Sequence, residues 1–155
     1  MQLEMVNPFV EASYDTIHEF IQEELKRSDI TLLDKDSIVK GVAIRISFKN
    51  KKDSAVIVNM DEKVATEVVS KLMGEEISDW DEVAISALAE VGNLLSGRAV
   101  TKLEAEDVEL DIDPPEVIFT KDSGEFALSD ESMNVILDTS LGQIQVIVYF
   151  SEVFV

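Results

Sequence analysis

The sequence contains no cysteine and a single histidine, His18. Without a thiol, the chain cannot carry a cysteine nucleophile, a disulfide framework, or a cysteine-ligated zinc or iron–sulfur site. One imidazole is too few for a histidine-rich metal centre, and it leaves His18 as the only histidine available to a catalytic triad. We interpret His18 as a surface or boundary residue, because no second imidazole or thiol could complete a site.

Basic residues are scarce: 13 Lys+Arg face 32 Asp+Glu, which gives a formal net charge of −19. Binding to a phosphate backbone draws most of its affinity from basic side chains, so this charge argues against a nucleic-acid partner. No apolar run approaches the roughly 20 residues that span a bilayer. The first residues, MQLEMVNPF, also lack a basic segment ahead of an apolar one. We therefore expect a cytoplasmic protein without a membrane partner.

Proline is rare as well, with three residues in a chain of 155. This length suits one domain, and we expect a single domain over residues 1–155. Hydrophobic residues make up 46 % of the chain, too many for a disordered acidic tail. A domain of this size buries roughly 68–70 % of its unfolded surface, so its core needs no disulfide or structural metal.

Apolar periodicity and capping residues predict three helices, over residues 7–25, 61–74 and 79–103. Their predicted N-caps are Asn7, Asp61 and Asp79. We expect Trp80, directly after the third cap, to pack at the start of that helix rather than to recognise a ligand.

Alternating apolar residues predict strands before and after the second and third helices. The predicted strands cover residues 30–33, 38–48, 55–58, 117–119, 125–128, 134–138 and 143–150. Residues 50–53 have turn composition, so the strands on either side of them are expected to form a hairpin. Grouping of strands and helices in blocks predicts the α+β class, with an antiparallel or mixed sheet covered by helices.

The third helix carries two opposed stripes. Five apolar residues fall within an arc of less than about 100°, which must face the core: Ala84, Leu88, Val91, Leu95 and Ala99. On the opposite side, four other residues fall within about 60°: Ser86, Glu90, Asn93 and Gly97. Glu90 and Asn93 are thus a carboxylate and an amide one turn apart, held in a fixed relative orientation.

Two glycines within this helix should each cost about 1 kcal/mol relative to alanine. Such a cost usually indicates close approach by another surface. Gly97 lies on the polar stripe, where the backbone of a partner could approach. Gly92 lies on the flank of the core, and helix–sheet packing explains it better.

A bare Glu-x-x-Asn spacing is weak evidence, since chance predicts about 0.6 occurrences in a chain of this composition. A second match, Glu131 and Asn134, falls where a loop runs into a strand, and we interpret it as chance. Acidic pairs such as Asp34 and Asp36 lack the continuation of a calcium loop, so a solvated acidic surface is expected. A glycosidase-like carboxylate pair remains open, because many pairs occur among 32 acidic residues.

The third helix resembles a family signature. Its pattern Ser86-x-x-x-Glu90-x-x-Asn93, continuing through Leu94-Leu95-Ser96-Gly97, resembles that of the CheX/CheC/FliY family of chemotaxis phosphatases. In that family a Ser or Asp precedes the Glu by four residues, and a proline follows further along, as in segment 113–118 here. CheC and FliY types carry two motif helices. The first predicted helix here contains no Glu-x-x-Asn, so the single-motif CheX type is the better match.

This resemblance implies a CheC/CheX-like fold and the dephosphorylation of an aspartyl-phosphorylated, CheY-type response regulator. It implies that Asn93 orients the attacking water, that Glu90 pairs with a lysine of the regulator, and that Ser86 occupies a supporting position. It also implies a homodimer. No cofactor of the chain's own is expected, because the regulator supplies Mg²⁺.

The residue types suit this chemistry. An acyl phosphate is already reactive, so a helper protein needs only to place a water in line with the phosphorus. A neutral amide can hold that water without adding negative charge beside the phosphoryl oxygens. Two alternatives stay open: a non-catalytic CheX-like module for dimerisation or regulator binding, and a hydrolase of free small-molecule acyl phosphates.

Overall fold

The computed structural model describes the backbone of residues 3–49 and 54–150, with side chains from residue 6 onward in those ranges. The helices in this part of the chain are α1 (Leu3–Ile21), α2 (Glu62–Met73), α3 (Glu82–Glu104) and the short α4 (Thr120–Ser123). The strands are β1 (Lys26–Arg27), β2 (Thr31–Leu33), β3 (Ile38–Val39), β4 (Val42–Ser47), β5 (Ala55–Met60), β6 (Glu116–Phe119), β7 (Phe126–Ala127), β8 (Ser132–Thr139) and β9 (Gly142–Tyr149).

One large sheet forms the centre of the fold. Its strands lie in the order β1-β8-β9-β5-β4-β6, with β2 also paired to β8. A separate two-stranded ribbon consists of β3 and β7, and we call it the β3–β7 ribbon. Each of these pairings is antiparallel, so the predicted α+β class is confirmed with an antiparallel sheet. The predicted hairpin is β4 and β5, while its turn at 50–53 lies outside the described residues.

The sheet has a core on each face. Val42 and Ile44 of β4 are at most 1 % exposed and pack with Leu88 of α3 in the main cluster, to which α1 and α2 also contribute. Ala43, which points the other way, belongs to a smaller cluster with Val39 of the β3–β7 ribbon. Strand alternation therefore places the helices on one face and the ribbon on the other.

The first helix starts earlier and ends earlier than the sequence predicts. It begins at Leu3, so Asn7 is not its N-cap and Pro8 lies inside it. Pro8 donates no backbone hydrogen bond there, and Phe9 beside it is fully buried. The helix ends at Ile21 because Gln22 adopts a left-handed φ of 59°. Residues 22–25 therefore leave the helix, against the prediction.

The strand predicted over residues 38–48 is divided into β3 and β4. Gly41, with φ at 81°, turns the chain between them. The side-chain amide of Asn59 holds this turn, because its Nδ2 donates to the carbonyl oxygens of Lys40 at 2.6 Å and Val42 at 3.0 Å. The sequence pattern alone could not separate a turn from a continuous strand here, because apolar alternation persists on both sides.

The second helix and the later strands agree with their predictions to within about two residues. Asp61 is the N-cap of α2, and Gly74 closes it in the left-handed conformation. Strand β1 and helix α4 were not predicted. Helix α4 is joined to α2 by an ion pair of 2.7 Å between Lys121 and Glu62, and this hydrogen bond raises the pKa of Lys121 above its ordinary 10.5.

The third helix begins two residues later than predicted. Its N-cap is Asp81 rather than Asp79, because the Asp81 carboxylate accepts a hydrogen bond of 2.8 Å from the backbone N–H of Ala84. Trp80 packs edge-on against Phe119 of β6, with ring centroids 5.1 Å apart. The packing role predicted for Trp80 is therefore confirmed.

Helix α3 is long and apolar enough to cross a bilayer by length and composition, with a mean hydropathy of 1.2. Core helices of soluble proteins meet the same criterion. Here Leu88 and Leu95 have no exposed surface, and charged residues such as Glu90 and Arg98 lie along the same helix. The hydropathy of α3 is thus accounted for by the core of the domain.

The position of the α3 cap can be tested by two matched variants. Asp81→Ala removes the acceptor for the Ala84 N–H, so we expect the free energy of unfolding to fall by about 1 kcal/mol. Asp79→Ala makes the same charge change without removing a cap, so its effect should stay below about 0.5 kcal/mol. Urea unfolding of both variants measures this difference. Equal losses would mean that charge near the helix start, and not the hydrogen bond, stabilises α3.

Candidate functional site

One side of α3 is fixed by the core. The five residues of the predicted apolar stripe are each at most 1 % exposed: Ala84, Leu88, Val91, Leu95 and Ala99. This burial confirms the predicted core face. Because these residues fix the rotation of the helix about its axis, the opposite stripe must face outward.

The outward stripe carries the candidate site residues. Ser86, Glu90, Asn93 and Gly97 are all exposed along α3. Within the described part of the chain, the side chains of Ser86, Glu90 and Asn93 make no hydrogen bond or ion pair. The Glu90 carboxylate and the Asn93 amide are therefore free to bind groups of another molecule.

A shallow open cavity of about 610 Å³ extends from Asn93 towards α1. On α3 its lining includes Asn93, Leu94, Gly97 and Arg98, and on α1 it includes Asp15. The cavity is open above Gly97, where an added Cβ would meet no atom within 4 Å. A partner could therefore approach the helix backbone at Gly97 while it contacts Asn93.

The C-terminal half of α3 is attached to α1 by charged side chains. Arg98 donates to the hydroxyl of the buried Thr16 at 3.1 Å and forms an ion pair with Glu19. One turn further on, Lys102 lies 3.5 Å from a carboxylate oxygen of Glu11. These contacts were not predicted from the sequence. The i, i+4 spacing of Arg98 and Lys102 can be read from the sequence, but the sequence does not show that α1 packs beside them.

The absence of a side chain at Gly92 allows α3 to lie close to the sheet. A Cβ at this position would lie 2.8 Å from Cγ2 of Ile44 and 2.9 Å from Cβ of Pro115. The predicted packing role of Gly92 is therefore confirmed. The contact also brings the proline segment against the helical turn that carries Asn93.

Other candidates from the sequence lie elsewhere. His18 is exposed and stacks on Tyr14, with ring centroids 5.9 Å apart, as expected for a surface histidine. In the second Glu-x-x-Asn match, Glu131 is exposed whereas Asn134 lies in β8 and is 5 % exposed, so the two residues do not form a common exposed site. A third match, Glu4 and Asn7, lies within α1, which was predicted to begin only at Asn7. Among the described residues, no group of three or more His, Cys, Asp or Glu side chains could hold a metal ion.

Comparison with known proteins identifies the family of this chain. The family model described as chemotaxis phosphatase CheX matches residues 42–138, which include all of α3. The chain belongs to the CheX family. A Thermotoga maritima protein named CheY-P phosphatase CheX is 30 % identical over 138 residues, covering 88 % of this chain and 86 % of that protein.

Solved structures agree with this assignment. A chain in the crystal structure of the CheX–CheY–BeF₃–Mg²⁺ complex from Borrelia burgdorferi has a TM-score of 0.76 and 26 % identity, covering 97 % of this chain and 100 % of that chain. A CheC-like superfamily protein from Shewanella sp. PV-4 has a TM-score of 0.79 at 19 % identity, covering 97 % and 99 % of the two chains. The second similarity shows a common fold.

The two glycines of α3 provide a matched stability test. In Gly92→Ala the new methyl group is forced against Ile44 and Pro115, and overpacking of this kind costs about 1–3 kcal/mol. In Gly97→Ala the new methyl group enters open space, so the gain in helix propensity should stabilise the fold by about 0.5–1 kcal/mol. Denaturant unfolding measures both changes. Stabilisation by both substitutions would contradict the packing role of Gly92.

Proposed function

We propose that this CheX-family protein is a phosphatase of a CheY-type response regulator phosphorylated on aspartate. Asn93 orients the water that attacks the phosphorus, and Glu90 pairs with a lysine of the regulator. The observation that carries this proposal is the presentation, on one exposed face of a helix whose other face is buried, of a carboxylate and an amide that have no partner among the described residues.

The similarities support the substrate class. The Thermotoga maritima relative is named for its action on phosphorylated CheY. The Borrelia burgdorferi complex contains CheY with BeF₃ and Mg²⁺, where BeF₃ stands in for the phosphoryl group. We infer that Mg²⁺ accompanies the regulator here as well, and that this chain contributes no cofactor of its own.

The proposed chemistry needs only positioning by this chain. The phosphoaspartate is an acyl phosphate, and its hydrolysis requires a water held in line with the leaving carboxylate oxygen. The Asn93 amide can accept a hydrogen bond from that water and donate one to a phosphoryl oxygen. Because the amide is neutral, it adds no repulsion against the phosphoryl charge. Rigid attachment of α3 to the core and to α1 fixes the backbone position from which the Asn93 side chain extends before the partner binds.

The remaining candidate residues have supporting roles in this proposal. Gly97 leaves room for the partner backbone one turn beyond Asn93, which the open space above it permits. Ser86, one turn before Glu90, lies where its hydroxyl can contact the same partner. The predicted homodimer, the single domain over 1–155 and the cytoplasmic location stay predictions.

Replacing Asn93 by Ala tests the catalytic role. We expect the protein-stimulated rate of phosphate loss from the regulator to fall roughly 10²- to 10³-fold, because one positioned hydrogen-bonding group is worth about that much. The free energy of unfolding should change by less than about 0.5 kcal/mol, because Asn93 is exposed and unpartnered. The measurement is single-turnover dephosphorylation of a ³²P-labelled regulator, with unfolding curves as the control.

Two results would overturn the catalytic proposal. If Asn93→Ala is as fast as the native protein, the amide does not act on the reacting water. If the native protein binds the regulator without accelerating hydrolysis, the chain is the non-catalytic binding module. A hydrolase of free acyl phosphates would turn over acetyl phosphate with no regulator present, so that reaction is measured in parallel.

Replacing Glu90 by Gln tests the lysine pairing. Loss of a hydrogen bond to a charged group costs about 1.5–3 kcal/mol, so the Kd for the BeF₃–Mg²⁺-bound regulator should rise roughly ten- to hundredfold. Glu104→Gln makes the same charge change on an exposed residue about 21 Å further along α3 and should leave the Kd within about twofold. Equal effects of the two variants would indicate that net charge, and not a specific pair, controls affinity.

A further inference from the structure

The exposed face of α3 carries an apolar side chain directly beside the candidate catalytic pair. Leu94 is 37 % exposed, although it lies in the middle of a helix whose other leucines, Leu88, Leu95 and Leu103, are fully buried. Around the helix axis, Asn93, Glu90 and Leu94 span about 100°, with Glu90 in the centre. A partner that contacts both Asn93 and Glu90 therefore covers Leu94 as well.

Leu94 also borders the cavity that extends from Asn93 across Gly97 towards α1. Three of the polar side chains along this cavity, those of Arg98, Thr101 and Lys102, are engaged by the protein itself. Arg98 and Lys102 pair with carboxylates of α1, and the Thr101 hydroxyl donates to the Gly97 carbonyl oxygen at 2.9 Å. Besides the Asn93 amide and the Asp15 carboxylate, the cavity offers a partner the Leu94 side chain and the open backbone at Gly97.

We propose that Leu94 is a docking residue for the receiver domain of the regulator. Its side chain packs against an apolar side chain next to the phosphorylated aspartate, while Asn93 enters the phosphorylation site. This inference rests on the proposed function and adds a contact that affects affinity without taking part in the reaction. Regulators with a polar or charged residue at the matching position bind more weakly, so Leu94 contributes to the choice of regulator.

The test compares Leu94→Ala with Val83→Ala. Val83 is an apolar residue on the same helix, 62 % exposed, and lies about three turns before Leu94 and outside the cavity lining. Removing the Leu94 side chain should raise the Kd for the BeF₃–Mg²⁺-bound regulator roughly five- to thirtyfold. Val83→Ala should leave that Kd within about twofold. At saturating concentration, Leu94→Ala should retain the native dephosphorylation rate within about twofold, because Asn93 is unchanged.

A second variant separates docking from folding. Leu94→Gln keeps a long, helix-compatible side chain but removes its apolar character, so it should raise the Kd as Leu94→Ala does while the unfolding midpoint stays native. A Kd within twofold of the native value for both Leu94 variants would overturn the proposal. So would equal weakening by Val83→Ala, or a loss of saturated rate without a change in Kd.

These outcomes are distinct from failure of the proposed function. Absence of acceleration by the native protein would overturn the phosphatase proposal. The Kd comparison between Leu94 and Val83 variants would still decide whether Leu94 contacts the regulator. A native protein that binds no regulator at all would overturn both.

Discussion

The packing of α3 against the sheet is the constraint on which the candidate site depends. Burial of the stripe around Leu88 and Leu95 removes the rotational freedom of the helix, and the absence of a side chain at Gly92 lets it lie close to Ile44 and Pro115. Once that face is fixed, the direction of every exposed residue on α3 follows from helix geometry alone. The site is thus positioned by the core and needs no loop of its own.

Placement on a single helix has a physical advantage for the proposed chemistry. Residues three and four apart on a helix keep their separation whenever the helix is intact, whereas residues from separate loops move relative to one another. Arg98 and Lys102 add to this rigidity, because their contacts with α1 restrain the half of α3 that follows Asn93. A partner that brings its own reactive group and metal then meets an Asn93 whose backbone position is already set, so that only the side chain has to be ordered when it binds.

Sequence periodicity predicted the parts of this fold that depend on one element at a time. The buried stripe of α3 and the exposure of Glu90 and Asn93 follow from the 3.6-residue repeat and needed no tertiary knowledge. The errors came where several local signals compete or where distant segments meet. Asp79 and Asp81 are both acceptable caps by sequence, and only the hydrogen bond to Ala84 distinguishes them. The contacts between α1 and α3 were out of reach, because residue spacing does not reveal which helices are neighbours.

The turn at Gly41 lies between β4 of the large sheet and β3, which pairs with β7 far along the chain. The ribbon beyond this turn joins Ile38–Val39 to Phe126–Ala127, so its closure brings together segments on either side of α2, α3 and most of the sheet. The ribbon is held by two residue pairs, by backbone hydrogen bonds that join Asp36 and Ser37 to Leu128, and by a small apolar cluster. These contacts are fewer than those that hold α3 in the core, so we expect the ribbon to open at a lower free energy than the core does.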